Sequence, residues 1–164
     1  MLTGLVGAEL VIGAGTSAGA VIVSRKEKAL HELCGITRLT AYLATEIAHT
    51  RRPLDELIDL FSDQRLEKSG FLPKLRESRS VSYECRWNEA MKLLSVENDT
   101  AELCAAVGDG LGASALDDEI TRLGILAAKL KECVERERDS LLRERKVIYS
   151  VSSMAGLAAA VILI

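Results

Sequence analysis

The chain has 164 residues, enough for one domain of ordinary size, and 48% of them are hydrophobic while only 4% are aromatic. The formal net charge of −3 excludes the broad basic field of nucleic-acid-binding proteins, so no nucleic acid is expected as a partner. There are only two prolines and Ala, Leu, Glu, Lys and Arg are abundant, so the composition predicts an all-α protein.

The first predicted element is a transmembrane helix over residues 2–23. This segment contains one ionisable residue, Glu9, and as a helix it would be about 33 Å long, enough to cross the apolar core of a bilayer. A cleaved signal peptide is the competing interpretation, but it would have a basic start, and no Lys or Arg precedes Arg25. The role of Glu9 stays open between neutralisation, snorkelling to the membrane surface and contact with another subunit.

Residues 25–146 are predicted to form a cytoplasmic bundle of several helices. The first helix, over about 26–50, carries a stripe of residues at alternating spacings of three and four, which is the pattern of a helix with one buried face: Leu33, Ile36, Thr40, Leu43 and Ile47. Pro53 fits the first turn of a second helix, which is expected to continue to about Gln64.

Shorter helices are expected in the middle of the chain. Gly70 and Pro73 mark a break, a helix begins near Ser82, and another covers residues 100–107. The glycine-rich stretch 108–112 follows a predicted helix and lacks the Gly-Lys-Ser/Thr of a phosphate-binding loop. It is therefore interpreted as the C-terminus of a helix and a turn.

The last predicted helix opens at Ser114 and leads without a helix breaker into a second transmembrane helix over residues 147–164. It carries a heptad-like apolar seam of Leu116, Ile120, Leu123, Ala127, Leu130 and Val134. The seam contains fewer than three clean heptads, which favours packing inside the bundle over a coiled-coil dimer. We expect the second span to continue the last helix of the bundle.

Basic residues border both apolar ends on the side of the central segment. They are Arg25, Lys26, Lys28, Arg143, Arg145 and Lys146. Lys and Arg close to membrane spans stay on the cytoplasmic side, so these residues are predicted to set the topology. Residues 25–146 would then lie in the cytoplasm and both termini on the far side of the membrane.

Small residues in the two predicted spans favour packing of one span against the other. They are Gly15, Gly19, Ser152, Gly156 and Ala160. Counted from the cytoplasmic edge, Gly19 lies about as deep as Ser152, and Gly15 about as deep as Gly156. Small residues at matched depth let two helix backbones approach closely, although Gly and Ala are also common in membrane helices that do not pair.

No set of residues has the arrangement of a catalytic, cofactor-binding or metal site. The histidines, His31 and His49, are about five turns apart on one predicted helix and cannot share a metal ion. The four cysteines lack zinc or redox spacings and are expected to be buried, reduced and structural, with a functional thiol as the alternative. The sequence predicts that the protein is not an enzyme, and an enzyme without a recognisable motif is the remaining alternative.

Several short motifs occur in the order and spacing of a known family. They are Glu46-Ile47 followed by Pro53-Leu54, then Arg86-Trp87, then Gly108-x-x-Leu111-Gly112, and finally Arg145-Lys146 followed by Ala155-Gly156-Leu157 and an apolar end. Over its whole length the chain resembles the stage III sporulation protein AB family of endospore-forming bacteria. It departs from the family pattern at Ala115, where Asp is usual, and at Glu119, where Gln is usual.

The resemblance implies a non-enzymatic membrane platform in a secretion-like channel complex that links mother cell and forespore and is required for endospore formation. The helical domain would be similar to the cytoplasmic domain of the platform protein in type II secretion and type IV pilus systems. The implied partners are the secretion-type ATPase of that complex, its other membrane proteins and the lipid bilayer. Whether the chain also forms a homo-oligomer is left open. The implied location is the mother-cell membrane around the forespore. A general membrane scaffold or secretion accessory without a role in sporulation is the alternative.

The predicted ATPase-facing surface is a charged stretch in the middle of the bundle. It consists of Arg76, Glu77, Arg79, Glu84 and Arg86. The alternative is that these residues form an ordinary solvated face.

Overall fold

The computed structural model describes residues 20–77, 79–96, 99–113, 115–147 and 150–151 with their side chains, and the helical backbone alone of residues 2–19, 98, 148–149 and 152–162. In this part of the chain all regular structure is helical, which confirms the predicted all-α fold. The helices are α1 (Leu2–Thr50), α2 (Leu54–Leu60), α3 (Gln64–Ser69), α4 (Phe71–Arg76), α5 (Tyr83–Met91), α6 (Asn98–Gly108) and α7 (Leu116–Ile162).

The chain divides into two compact units. Unit 1 consists of Met1–Glu27 and Glu137–Ile164, and unit 2 is Lys28–Arg136. Helices α1 and α7 each contribute to both units, because α1 passes from unit 1 into unit 2 and α7 returns.

The predicted membrane spans fall mostly on residues whose side chains lie outside the described ones. Over 2–19 and 152–162 only the helical course of the backbone is described. A search of the described residues finds no helix with the length and apolar character needed to cross a bilayer. Both spans therefore stay predictions.

The core of unit 2 is built from the apolar faces of all its helices. The five stripe residues of α1 are all buried, namely Leu33, Ile36, Thr40, Leu43 and Ile47. The seam of α7 packs into the same core through the fully buried Leu123 and Leu130, with Ile120 and Val134 partly buried beside them. The seam is therefore part of this core, as predicted, although Leu116 at its start is exposed.

The helix predicted from Pro53 to about Gln64 ends earlier, at Leu60, and a separate helix, α3, begins at Gln64. Pro53 precedes α2, which ends at Leu60, and Asp63 then adopts an extended backbone conformation. The Asp63 carboxylate accepts hydrogen bonds from the backbone N–H groups of Arg65 and Leu66, at 2.9 and 3.1 Å. This N-cap starts α3 as a separate helix, because it satisfies amides that would otherwise lack partners.

Several predicted boundaries agree with the structure. The left-handed Gly70, with φ of 86°, separates α3 from α4, and the Ser82 hydroxyl accepts the backbone N–H of Cys85 at the start of α5. Gly110 and Gly112 also have positive φ, so the stretch 108–112 is the end of α6 and a turn, as predicted. Ser114, the predicted start of the last helix, lies outside the described residues.

Candidate interaction surfaces

The predicted ATPase-facing residues lie on α4, on α5 and in the segment between them, and they differ in exposure. Glu77, Arg79 and Glu84 are exposed, and Arg76 is half-buried. Arg86 is only 5% exposed, so its inclusion in a surface is corrected: it is an interior residue. The part of this set that a partner can reach is Glu77, Arg79 and Glu84.

Arg76 holds the end of α2 against α4. Its guanidinium donates to the backbone carbonyl of Phe61 at 2.7 Å and to that of Ile58 at 3.4 Å. It also forms an ion pair with Glu67 at 2.7 Å. Cationic donors suit the unpaired carbonyls at a helix C-terminus, so the main role of Arg76 is in the fold.

Arg86 is the centre of a polar cluster that joins α2, α4 and α5. It donates to the carboxylate of Asp55 at 3.0 Å and to the backbone carbonyl of Leu75 at 3.1 Å. Its guanidinium also lies 4.4 Å from the centre of the Tyr83 ring, and the Tyr83 hydroxyl donates to the other Asp55 oxygen at 2.8 Å. Hydrogen bonds to a buried charge compensate for its lost hydration, which is why Arg86 is tolerated inside the protein.

The same cluster shifts two pKa values in opposite directions. Burial alone would raise the pKa of Asp55, but the hydrogen bonds from Tyr83 and Arg86 outweigh burial and hold this pKa below its usual value. Burial and the hydrogen bond to Asp55 raise the pKa of Tyr83. At neutral pH the cluster therefore contains a carboxylate, a neutral phenol and a guanidinium.

A shallow cavity of about 160 Å³ lies between α4 and α5 beside the exposed residues. Its lining residues are Lys74, Glu77, Val81, Cys85, Arg86 and Glu89. Ion pairs surround it: Lys74 with Glu77 at 2.7 Å, and Glu89 with Lys92 at 2.6 Å. The hydrogen bond to Glu77 raises the pKa of Lys74, and the hydrogen bond from Lys92 lowers the pKa of Glu89. This surface offers a small recess bordered by charges of both signs.

The predicted topology-setting cations have different environments. Lys26 pairs with Glu144 at 2.6 Å and Arg145 with Glu27 at 2.9 Å, both within unit 1. Lys28 belongs to unit 2 and lies 3.7 Å from Glu32 on the same helix.

The other three cations, Arg25, Arg143 and Lys146, are exposed and have no hydrogen bond or ion pair among the described residues. The predicted span-packing residues Gly15, Gly19, Ser152, Gly156 and Ala160 lie outside the described side chains.

Trp87 and Gly108, the first glycine of the stretch 108–112, are in contact in the core. Trp87 is fully buried, its indole N–H donates to the carbonyl of Cys104 at 2.9 Å, and Gly108 lies against its side chain. In the turn that follows, the buried Glu119 carboxylate accepts from the backbone N–H of Gly112 at 3.4 Å and from Arg122 at 3.1 Å.

No chemical site is apparent in the described part of the chain. Its His, Cys, Asp and Glu residues form no group of three or more that could hold a metal ion. Burial raises the pKa of the Cys104 thiol to about 12, which makes it unreactive at neutral pH. Cys133 is also buried, whereas Cys85 is exposed rather than in the interior.

Comparison with known proteins identifies the family. The family model of stage III sporulation protein AB matches residues 4–164. No curated protein and no solved structure matches the chain. The family is not known as an enzyme family, and membership implies a role related to sporulation. The chain belongs to the stage III sporulation protein AB family.

Proposed function

We propose that the chain is a non-enzymatic membrane platform of a secretion-like channel complex between mother cell and forespore, required for endospore formation. The observation that carries the proposal is the family match over residues 4–164, which includes both apolar ends as well as the helical unit 2. An all-helical domain with an apolar core, whose described residues contain no recognisable chemical site, suits a protein that acts through binding.

Anchoring in the mother-cell membrane around the forespore is the second part of the proposal. The apolar sequences 2–23 and 147–164 support it, with basic residues following the first and preceding the second. The central helical domain would then lie in the mother-cell cytoplasm. It would correspond to the cytoplasmic domain of a secretion platform protein.

The third part of the proposal is that a secretion-type ATPase binds the surface of Glu77, Arg79 and Glu84. These side chains are exposed beside the cavity between α4 and α5, and Glu84 has no ion pair within the described residues. Charged groups around a small recess can orient a partner of complementary charge. Other membrane proteins of the complex would contact the anchored ends.

Co-purification from sporulating cells tests the platform role. The tagged full chain should retain the ATPase, and the variant E77Q/R79Q/E84Q should lose most of it and lower the yield of spores. The matched control is K129Q/E132Q/E135Q, which removes the same charges from exposed positions of α7. Retention of the ATPase by the first variant would place the contact elsewhere. Failure of the unmodified chain to retain any ATPase would contradict the platform role.

The exposed Cys85 allows a separate test of topology. A membrane-impermeant maleimide should label Cys85 only after the mother-cell membrane is permeabilised, whereas Cys104 and Cys133 are buried and should react slowly. Labelling of Cys85 from outside intact cells would contradict the cytoplasmic location.

A further inference from the structure

Two ion pairs connect α1 and α7 within unit 1. The ammonium group of Lys26 lies 2.6 Å from both carboxylate oxygens of Glu144, and Arg145 lies 2.9 Å from Glu27. Each helix supplies one cation and one carboxylate, so the pairs have no net charge. Lys26 and Arg145 are consequently occupied in holding the two helices together.

These ion pairs also define the register of the two helices, that is, which positions of α1 and α7 lie side by side. Helix α1 leaves unit 1 at Glu27 and α7 enters it at Glu137, so the helices run in opposite directions. The ion pairs place positions 26–27 of α1 beside positions 144–145 of α7. Because the helices are antiparallel, the residue before Lys26 on α1 lies level with the residue after Arg145 on α7. Arg25 is therefore level with Lys146.

Arg143 is a third cation near this level of the two helices. It lies three positions before Lys146, so the two side chains are neighbours on one side of α7, about one turn apart. Arg25, Arg143 and Lys146 are exposed and, among the described residues, have no carboxylate partner. Three positive charges without compensation are therefore presented around the two helices, near the level of the neutral ion pairs.

Apolar surface adjoins the three cations on the side of the chain ends. Val21 and Ile22 of α1 are 54% and 52% exposed, and Val147 and Val151 of α7 are each 60% exposed. In the register that the ion pairs define, Val21 of α1 lies level with about position 150 of α7. Both helices therefore change from charged to apolar residues at the same level along their axes. Cations next to exposed apolar side chains match the boundary between the headgroups and the hydrocarbon of a bilayer.

We propose that Arg25, Arg143 and Lys146 bind the phosphate groups of anionic phospholipids in the cytoplasmic leaflet. The inference rests on the proposed function, because it requires the two ends of the chain to enter a bilayer. A zwitterionic headgroup carries its own cation beside the phosphate, so three uncompensated cations favour lipids with a net negative charge. Lys26 and Arg145 do not take part, because Glu144 and Glu27 neutralise them.

Lipid selectivity of the full chain tests the proposal. The chain is reconstituted in phosphatidylcholine vesicles, and its association with spin-labelled phosphatidylglycerol is compared with that of spin-labelled phosphatidylcholine. The unmodified chain should prefer phosphatidylglycerol, and the preference should weaken as salt is added. The variant R25Q/R143Q/K146Q should lose the preference, by up to about five-fold for each cation removed.

The control variant is K68Q/K129Q/K131Q, which removes three exposed cations from unit 2 and leaves the same net charge. It should keep the preference. Equal loss in both variants would mean that net charge, rather than this site, attracts the lipid, and would overturn the proposal. Loss of the preference when inorganic phosphate is added at constant ionic strength would indicate a site for free anions and would also overturn it.

Alkaline carbonate extraction separates failure of this inference from failure of the proposed function. A chain that resists extraction but shows no preference for phosphatidylglycerol would refute the lipid site alone. A chain that carbonate removes from the vesicles would refute membrane anchoring, and the lipid site with it.

Discussion

A β-carbon added to Gly108 would lie 2.7 Å from the Cβ of Trp87 and closer still to its indole ring. Trp87 is fully buried and is held by the hydrogen bond from its indole to the carbonyl of Cys104, so it has little freedom to move away. The tryptophan and the first glycine of the Gly-x-x-Leu-Gly motif therefore form one packing contact between α5 and α6. This contact is a structural reason for a glycine at position 108 of this chain.

Replacing Gly108 with Ala should destabilise the protein despite the better helix propensity of Ala. The added methyl group has to displace the Cβ and the adjoining ring atoms of the buried Trp87, which lowers the free energy of unfolding by about 1–3 kcal/mol. Urea unfolding of the full chain, followed by the fluorescence of its single tryptophan, measures this change. Gly124 is the control, because a β-carbon there meets no atom within 4 Å, so Gly124→Ala within α7 should stabilise by about 0.5–1 kcal/mol. Equal effects of the two substitutions would contradict the packing role of Gly108.

The lowered pKa of Asp55 predicts a dependence of stability on acid. A carboxyl whose pKa is lower in the folded state stabilises the fold above its unfolded pKa of about 4, and this contribution is lost as pH falls through the folded pKa. Asp55→Asn should lower the urea midpoint at neutral pH and reduce the further loss of stability below about pH 4. The control is Asp109→Asn, at an exposed position with no partner among the described residues, and it should leave the urea midpoint at neutral pH unchanged. An unaltered profile for the Asp55 variant would show that the cluster does not contribute.

The apolar pattern predicted much of the fold, because burial follows directly from helical spacing. All five residues of the α1 stripe are buried, and α1 ends at Thr50 as expected. Ser82 and the glycine turn were identifiable from local chemistry. The end of α2 was not, because nothing near Asp63 in the sequence distinguishes a side chain that caps a new helix from one on the surface of a longer helix.

The polar interior could not be inferred from the sequence. Asp55 and Arg86 are 31 positions apart, and only the packing of α2 against α4 and α5 brings them together. An arginine is most often found at the surface, and nothing beside Arg86 in the sequence indicates a buried partner. Glu32 follows a basic stretch of the sequence, which also favours a surface position. It is nevertheless buried and accepts the backbone N–H of Ser95 at 2.6 Å. The lining of the cavity between α4 and α5 depends on the same long-range packing.

Glu119 offers a prediction about the departure from the family pattern. One of its carboxylate oxygens accepts from Gly112 and Arg122, while the other is buried without a hydrogen bond. Glu119→Gln retains one acceptor oxygen but puts an amide NH2 group in place of the unpartnered oxygen and removes the charge that pairs with Arg122, so it should destabilise the protein by less than Glu119→Ala does. Glu119→Ala leaves the backbone N–H of Gly112 without an acceptor and removes the carboxylate partner of Arg122, so it should cost about 1–3 kcal/mol. Urea unfolding measures both values, and an equally large loss in the two variants would show that the charge rather than the acceptor is needed.

The ion pairs of unit 1 give an independent register for the two predicted spans. With positions 26–27 beside 144–145, continued antiparallel pairing brings Gly19 level with Ser152 and Gly15 level with Gly156, the same pairs that residue depth suggests. The side chains at these four positions lie outside the described residues, so the pairing is a prediction. If the small residues bring the helices together, cysteines at level positions should meet the short Cα distance that a disulfide requires, about 4.4–6.8 Å.

Cross-linking of the full chain in membranes tests this register. The variant G19C/S152C should form an intramolecular disulfide on mild oxidation, which mass spectrometry of the linked peptides would identify. The control G15C/S152C is displaced by four positions, or about 6 Å along the helix, and should cross-link poorly. Preferential linkage of the displaced pair would contradict the register. The absence of both links in a chain that is stably inserted would mean that the two predicted spans do not pack through these residues, even though ion pairs join the helices at positions 26–27 and 144–145.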